Sequence, residues 1–451
     1  MNTLNHFLEN FLNSENGEWY EEPLRYIPHY FYYHDTKNRK APEYISGSEK
    51  ELSKTTQRDT RNFSFENFNI IQEKIVEMKN ISLETLKPES KLILDLYFDS
   101  LDMAEIKSYL QAKFPKSSNP PITSLKTLAD LWAMIEGQSE TQEALKPCDW
   151  EKTPQEILLY EILKNIQEAT ILTLWKRAFS QEKEQAFLWD NILGLQTRKE
   201  MILKAYVVSL KLRELPESQI GIMLPAVGSA SLLILATYLA GKTPVMFNWT
   251  LGKEAFDHCV KISEVTKILT ASSFYTRVKN EFLEVYEKEG RFIFAEDMLK
   301  NISLGVKLRA LLKSKYMPLP KLPERAVLLF TSGSESLPKA VALTHQNIIE
   351  NIKGALRIFE LKNTDKIIGF LPPFHSFGFT VNTIMPLITG LQVAYTPDPN
   401  DAKTILEIMK HTKVTGVTAT PTFLSMILSL AQVGDLEYLK YAVVGAEKCP
   451  A

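Results

Sequence analysis

Residues 326–344, AVLLFTSGSESLPKAVALT, constrain this chain more than any other stretch. Two apolar, β-like runs, 326–330 and 340–343, enclose a loop of small and hydroxyl-bearing residues that ends in Pro338-Lys339. Small residues let backbone N–H groups crowd around an anion, hydroxyls add donors, and Lys339 supplies a mobile positive charge. The spacing is not that of a Walker loop. The pattern predicts a polyphosphate-binding hairpin, with an ordinary polar hairpin as the alternative.

Three later loops each follow a predicted strand: PPFHSFG at 372–378, TATP at 418–421 and GAEK at 445–448. Ligands of open parallel sheets lie beyond the carboxyl ends of the strands. Together with the hairpin, these loops resemble the adenylate-forming enzymes, the family of acyl-CoA synthetases, luciferases and peptide-synthetase adenylation domains. Ser336 and Ala340 depart from the pattern, because the family usually has glycine at both positions.

The resemblance assigns roles to residues of this chain. The implied ligands of the ATP phosphates are Thr331, Ser332, Gly333, Ser334 and Lys339. The implied lining of the adenine site is Gly445, Ala446 and Glu447. The resemblance further implies that Thr420 lies near the reacting carboxylate and that Phe374 and His375 border the acyl pocket. Lys339, Thr331 and Thr420 are the implied catalytic residues. ATP and Mg²⁺ are the implied cofactors, without a metal site built by the protein itself.

His375 separates substrate classes within this resemblance. Members that activate amino acids usually carry Asp at this position, where it pairs with the α-ammonium group. A histidine flanked by Phe374, Phe377 and Phe379 offers no such anion and favours a carboxylic acid with an apolar tail. A buried structural histidine is the alternative.

From about residue 150 onward, strand and helix patterns alternate, which predicts mostly parallel α/β sheets. Strands are predicted at 367–371, 392–395, 414–417 and 441–444. The uncharged stretch 220–241 is long enough to span a bilayer. Pro225, Gly228 and two serines interrupt it, so a buried strand, turn and helix are expected instead. His345 follows Thr344, a predicted N-cap, and is expected on a helix surface.

Residues 68–137 predict a compact unit of amphipathic helices, one of them over 100–114 and a last one over 123–135. Within it, residues 95–106 read DLYFDSLDMAEI, and Ser100 could be a plain N-cap. The unit resembles an acyl carrier protein, in which the Ser of Asp-Ser-Leu carries 4′-phosphopantetheine. The acid-rich helix start predicts docking to basic partner surfaces.

The predicted organisation has four parts: an unassigned N-terminal segment with a flexible linker (1–67), a small all-α carrier-like bundle (68–137), a linker (138–151) and an α/β AMP-binding core (152–451). An apolar helix is predicted at 2–12, and its polar face lacks the Lys and Arg that are typical of a membrane-surface helix. His29 and Asp35 miss the His-x4-Asp spacing of an acyltransferase by one residue, so that activity is not predicted. The family's Gly-Tyr-Gly-x-Thr-Glu segment and C-terminal subdomain do not follow residue 451. The chain is therefore expected to be incomplete and to adenylate poorly alone.

The phrases FTSGSESLPK, PPFHSFGFT and VVGAEK look most like bacterial acyl-[acyl carrier protein] synthetases. The resemblance implies ATP-dependent activation of a medium- or long-chain fatty acid and transfer to the phosphopantetheine thiol on Ser100. A phosphopantetheinyl transferase and a downstream acyltransferase are the implied partners. A fatty acyl-CoA synthetase that uses CoA or a separate carrier, and a non-catalytic carrier or binding protein, are the alternatives.

Composition argues against several other classes of protein. The net charge of −2 over 451 residues gives no general attraction to nucleic acid. Three scattered cysteines form neither a metal motif nor a disulfide framework, which fits a reducing cytoplasm. No secretory signal opens the chain. Cytoplasmic localisation is expected, with peripheral contact with the inner membrane left open.

Overall fold

The structure is a computed structural model, and it describes residues 65–79, 81–92, 95–96, 98, 100–114, 117, 125, 127–135, 145–150, 156–166, 169–300, 302–331 and 337–447. The segment 1–64, with the predicted apolar helix, the His29 and Asp35 pattern and the flexible linker, lies outside the described residues. The same holds for Asp99 and for Ser332, Gly333 and Ser334 of the predicted phosphate loop.

Two six-stranded sheets form the larger part of what is described. The strands are β1 (Ala186–Asp190), β2 (Gly194–Thr197), β3 (Gln219–Ile222), β4 (Thr243–Met246), β5 (Ile268–Thr270), β6 (Phe292–Phe294), β7 (Arg325–Phe330), β8 (Ala340–Thr344), β9 (Lys366–Gly369), β10 (Gln392–Tyr395), β11 (Gly416–Ala419) and β12 (Tyr441–Val444). One sheet has the order β6-β5-β3-β4-β7-β8 and the other β12-β11-β9-β10-β1-β2. Pairing is parallel except at β7–β8 and β1–β2. The predicted mostly parallel α/β architecture is confirmed.

Helices separate most of these strands. They are α1 (Phe65–Lys79), α2 (Ser100–Lys113), α3 (Leu128–Ile135), α4 (Leu159–Leu163), α5 (Ile171–Ser180), α6 (Arg198–Leu212), α7 (Gly228–Leu239), α8 (Lys253–Ser263), α9 (Ser272–Val278), α10 (Glu281–Lys288), α11 (Ala295–Leu299), α12 (Leu304–Tyr316), α13 (His345–Ile358), α14 (Met385–Thr389), α15 (Ala402–His411) and α16 (Pro421–Leu430). A π-helix, Gly378–Ile384, precedes α14.

The uncharged stretch 220–241 is a strand followed by a helix, as predicted. β3 ends at Ile222 and α7 begins at Gly228. Nearly every side chain of α7 is buried, because a helix that is apolar on all sides must lie inside a core. Among the described helices, none combines the length and apolar composition that crossing a bilayer requires.

The observed bounds of two strands, β9 and β11, differ from the predicted ones. β11 begins at Gly416 rather than at 414, because Lys413 has a positive φ of 52° and the Val414 N–H still bonds to the Met409 carbonyl of the preceding helical turn. β9 runs over Lys366–Gly369 and ends before 371. The predictions for β10 and β12 match the observed bounds.

The prediction for His345 is wrong. Thr344 caps α13 as expected, but the His345 side chain is buried. Its Nδ1 accepts a hydrogen bond of 3.4 Å from the Ile171 N–H, and its ring lies 5.8 Å from that of Tyr238. Burial lowers the pKa of His345, because the charged imidazolium would lose its hydration. The sequence could not show this, since α5 and α7 come from distant segments.

Three helices of the smaller unit share a core separate from that of the sheets. Phe68 of α1 contacts Trp132 of α3, with ring centroids 4.6 Å apart. The prediction that a helix begins at Ser100 is confirmed. The last helix begins at Leu128 rather than at 123, because the Thr127 N–H bonds to the Asp130 carboxylate and closes the N-terminus there.

The end of the predicted linker is anchored to the larger unit. Residues 145–150 pack against the apolar core beside the sheet that contains β9–β12, through Leu145, Cys148 and Trp150. The Trp150 indole donates a hydrogen bond of 2.8 Å to the Thr412 carbonyl, and the Trp189 indole donates one of 3.3 Å to the Lys146 carbonyl. Only the preceding part of the linker can therefore act as a connector.

The burial of His345 predicts a pH-dependent stability. Its folded pKa lies below its unfolded value of about 6.5, so the unfolded state binds more protons as the pH falls below that value. Stability should be greatest above about pH 6.5 and decline toward about pH 5. Urea unfolding of the wild type and of His345→Phe should show a steeper decline for the wild type. An equal pH dependence in both proteins would contradict the assignment.

Candidate active site

The carboxyl ends of the parallel strands from both sheets meet at one cleft. Residues after β4, at the end of β7 and in the loop after β9 line it: Met246, Asn248, Leu251, Phe330, Thr331, Phe374 and His375. A larger depression lies at the opposite ends of β3, β4 and β7. Ligands of parallel sheets bind at the carboxyl ends, so the smaller cleft is the candidate site. Thr331 and His375, more than forty residues apart in sequence, are among the residues that the fold brings together.

The predicted phosphate hairpin closes at its base. The Thr331 N–H bonds to the Lys339 carbonyl at 3.0 Å, and the Lys339 N–H bonds back to the Thr331 hydroxyl at 3.1 Å. Both side chains are exposed, while Pro338 between the loop and β8 is buried. These two residues thus close the base of the hairpin. Their roles in binding ATP stay a prediction.

The loop after β9 is tightly folded. The His375 N–H bonds to the Pro372 carbonyl at 3.1 Å, and the Phe379 N–H bonds to the His375 carbonyl at 2.8 Å. A Cβ at position 378 would collide with the carbonyl oxygens of Leu371 and Pro372, so only glycine fits. The π-helix begins at this glycine. Such turns are frequent at functional sites.

A row of aromatic rings leads to His375. The Phe274, Trp249 and Phe374 rings meet edge to face, with successive centroids 4.9 and 4.8 Å apart, and the Phe374 centroid lies 4.5 Å from that of His375. Part of the imidazole remains accessible, yet the surrounding protein removes enough water to lower the pKa of His375. Among the described residues, no carboxylate offsets this shift. The imidazole therefore forms the solvent-exposed end of this aromatic row.

Thr420 and Glu447 both cap α16. The Thr420 hydroxyl accepts a hydrogen bond of 3.3 Å from the Phe423 N–H, and a Glu447 carboxylate oxygen accepts one of 2.7 Å from the Thr422 hydroxyl. Acidic and hydroxyl groups are favourable at a helix N-terminus. The Gly445 N–H bonds to the Ala419 carbonyl at 3.1 Å, and Ala446 has a positive φ of 70°. These contacts fix the loop predicted to line the adenine site, whose role is untested.

Sequence reasoning missed the polar groups beneath the site. The Asn382 amide, in the π-helix, donates to the Thr418 hydroxyl at 2.9 Å, and the Tyr395 hydroxyl donates to the Asn382 carbonyl at 2.5 Å. Ser231 of α7 completes this group, 2.8 Å from the Tyr395 hydroxyl. Burial raises the pKa of Tyr395, which keeps its hydroxyl a donor. The group links β10, β11 and α7 below the loop that carries His375.

Asn248 and Trp249 were also missed. They follow β4 directly, so the rule that located the other loops could have found them. Strand β4 is only four residues long and contains Pro244, which weakens its signal in the sequence.

The fold and the cleft define a two-sheet α/β protein whose β7–β8 hairpin base lies at the carboxyl ends of its strands. Residues 209–451, more than half of the chain, match the family model described as AMP-binding enzyme. The chain belongs to this family. The resemblance to adenylate-forming enzymes is thereby confirmed at the level of the family.

Relatives and solved structures agree with this assignment. The chain is 31% identical over 145 residues to a long-chain-fatty-acid–CoA ligase of Bacillus subtilis, a match that covers 31% of this chain and 26% of the relative. It is 24% identical to gramicidin S synthase 2 of Brevibacillus brevis, over 63% of this chain and 6% of that protein. The matches thus span about a quarter or less of these relatives.

A solved structure supports the fold. The o-succinylbenzoate CoA synthetase of Bacillus subtilis, in complex with its acyl-adenylate intermediate, aligns with a TM-score of 0.50 at 18% identity. The alignment covers 61% of this chain and 68% of that one. The α/β core expected from the sequence is confirmed by this likeness.

The close approach at Gly378 yields a matched pair of substitutions. Gly378→Ala should destabilise the protein by more than about 2 kcal/mol, because the added methyl group forces two carbonyl groups apart. Gly354→Ala, within α13 and with open space around the position, should be neutral or stabilise by up to about 1 kcal/mol. Urea unfolding measures both. Equal effects of the two substitutions would contradict the described loop geometry.

Proposed function

We propose that this protein activates a medium- or long-chain fatty acid with ATP, forming an acyl-adenylate and pyrophosphate, and that the acyl group passes to a thiol carried on Ser100. The observation that carries this proposal is the meeting of the Thr331–Lys339 hairpin base and the His375 aromatic row at one edge of two sheets. The hairpin base supplies a cation and a hydroxyl group for phosphates, and the aromatic row supplies apolar surface for an acyl chain.

Charge development explains the need for Lys339. When the carboxylate oxygen attacks the α-phosphorus, the bond to pyrophosphate breaks and negative charge accumulates on the leaving group. The exposed Lys339 ammonium stands at the base of the loop, where it can offset that charge. Among the described residues, no cluster of three or more His, Cys, Asp or Glu could hold a metal. Mg²⁺ would thus be bound mainly through the phosphates of ATP.

The aromatic row supports an apolar substrate. Trp249, Phe374 and the neutral His375 form a wall without a described carboxylate beside the imidazole. An α-ammonium group would lose its hydration there without a compensating anion. A fatty acid meets no such penalty.

The helical unit supports an acceptor in the same chain. Ion pairs between Lys79 and Asp102 and between Lys74 and Glu105 join α1 to α2, so the start of α2 is held in place. Ser100 is the first residue of this helix. Phosphopantetheine on Ser100 would supply a thiol on a long flexible arm.

The helical unit contacts the same edge of the second sheet as the candidate site. Lys107 of α2 is fully buried, and its ammonium lies 3.9 Å from the Asp398 carboxylate. Asp398 follows β10, which runs parallel to β9, so both strands end on the side that carries His375. Ser100 precedes Lys107 by seven residues, or about 10 Å along the helix. The contact supports the proposal, because it holds the helix that begins at Ser100 beside the carboxyl end of β10.

Two alternatives differ in the acceptor or in catalysis. Free CoA or a separate carrier could accept the acyl group, as the name of the Bacillus subtilis fatty-acid ligase says of that protein. The chain could instead be a carrier or binding protein without turnover. A phosphopantetheinyl transferase is the required partner of the first proposal, and a downstream acyltransferase would consume its product.

Intact mass spectrometry tests the proposal. The protein is first treated with a phosphopantetheinyl transferase and CoA, repurified, and then given ATP, Mg²⁺ and a mixture of fatty acids. We expect one added phosphopantetheine and then slow addition of one acyl group. Ser100→Ala should lose both, whereas Ser108→Ala on the same helix should keep both. Lys339→Gln should slow the acyl addition by at least about tenfold.

The other outcomes select the alternatives. Acyl-CoA formation with Ser100→Ala in the presence of CoA would identify a CoA ligase. An unmodified wild type would exclude the carrier role. Phosphopantetheine addition without acylation, together with failure to bind a non-hydrolysable acyl-sulfamoyl-adenosine by calorimetry, would leave a carrier without activation.

The Lys107–Asp398 contact makes a separate prediction. Asp398→Asn removes the charge but keeps the oxygen that accepts from the Asn400 N–H, so the buried Lys107 ammonium loses its carboxylate. Amide hydrogen exchange in the second half of α2 should accelerate, and Lys107→Met in the same protein should reverse the change. Asp435→Asn, which removes a surface partner of Lys410, serves as the control. Unchanged exchange in Asp398→Asn would refute docking through this pair.

A further inference from the structure

Helix α12 exposes an apolar stripe to solvent. Leu304 is 82% exposed, Leu308 and Leu311 are each 56% exposed, and Leu312 is 51% exposed. At 100° per residue these leucines lie along one face of the helix. Tyr316, 67% exposed, extends the stripe at its end. Single exposed leucines are ordinary, but a continuous row marks an interaction surface.

The opposite face holds the helix in place. Ala310 is fully buried where α12 packs against α6. The Lys176 and Lys183 ammonium groups reach the carbonyls of Tyr316 and Ser314, both at 3.4 Å. Ser303 caps the helix by accepting a hydrogen bond from the Val306 N–H. The exposed stripe is therefore the outer surface of an anchored helix, not an unpacked core.

The charges of α12 itself have one sign, in a chain whose net charge is −2. The helix carries four cations and no acid: Lys307, Arg309, Lys313 and Lys315. Acids lie only before the helix, where Asp297 pairs with Lys300, and after it, at Glu324. Long Lys and Arg side chains can keep their stems along apolar surface while their charged ends reach water or lipid phosphates.

We propose that α12 docks this protein onto the surface of an anionic lipid bilayer, with its leucines among the upper acyl chains and its cations at the headgroups. Apolar side chains on one face with Lys and Arg beside them define an interfacial helix. A second copy of this chain is disfavoured as the occupant, since two faces of the same positive charge repel. Lysine is also depleted in protein–protein interfaces. This surface requires no catalysis, so it is independent of the proposed function.

Vesicle flotation of the chain of residues 1–451 tests the docking. Binding is expected to vesicles that contain phosphatidylglycerol, and it should weaken strongly without anionic lipid or at high salt. Leu308→Ser with Leu311→Ser should reduce the partition coefficient at least about tenfold. Lys307→Gln with Arg309→Gln should reduce it by roughly fivefold for each charge removed. Ile192→Ser with Val433→Ser removes two exposed apolar residues elsewhere and should leave binding unchanged.

Tryptophan fluorescence locates the contact. Tyr316→Trp should gain a component that is blue-shifted on binding and quenched by lipids brominated on their acyl chains. Tyr438→Trp, at an exposed position outside α12, should gain no quenched component. The wild-type spectrum, with its six tryptophans, is subtracted from each.

Three outcomes would overturn the proposal. One is no binding to anionic vesicles, and another is binding that the α12 substitutions leave intact. The third is self-association, measured by sedimentation equilibrium, that the leucine substitutions abolish while vesicle binding persists. Retained urea stability of the variants confirms that any loss of binding is not unfolding, because these side chains are exposed.

Discussion

The close approach of the chain to itself at Gly378 is the constraint on which the candidate site depends. With no side chain at this position, the turn after β9 folds back on the carbonyls of Leu371 and Pro372. The π-helix that follows then places Asn382 beneath the turn, where its amide joins β11 and its carbonyl receives the Tyr395 hydroxyl. The backbone position of His375 thus follows from the geometry of the turn and from buried hydrogen bonds, and its ring then contacts that of Phe374.

Much of the fold was predictable because parallel strands leave a strong local signal. Apolar runs followed by small or polar residues located the loops after β7, β9, β11 and β12 without knowledge of the sheet order. The order itself, β12-β11-β9-β10-β1-β2, depends on pairing between segments up to about two hundred residues apart. No local pattern encodes that pairing. The division of the strands into two sheets of six was not predicted. The fold comparison supports the α/β core.

The failures share one physical cause. His345 stands after a helix cap, as expected, but α5 and α7 cover it. The sequence made no prediction for Lys107, which is fully buried near the Asp398 carboxylate. Whether the acid-rich start of α2 docks to basic partner surfaces stays a prediction. Burial by a distant segment changes the environment of a charged or titratable residue. A single sequence does not show which residues are buried in this way.

In the proposed reaction, the anchored end of the linker affects whether the thiol on Ser100 or free CoA accepts the acyl group. Nine residues, 136–144, separate α3 from the docked segment that begins at Leu145. Fully extended, such a connector spans at most roughly 35 Å. A tether this short holds its cargo at an effective concentration on the order of millimolar. A thiol on Ser100 would then outcompete free CoA unless CoA were present at similar concentration. The same restriction works against delivery to a distant enzyme. A downstream acyltransferase would have to approach this chain rather than receive a carrier that travels to it.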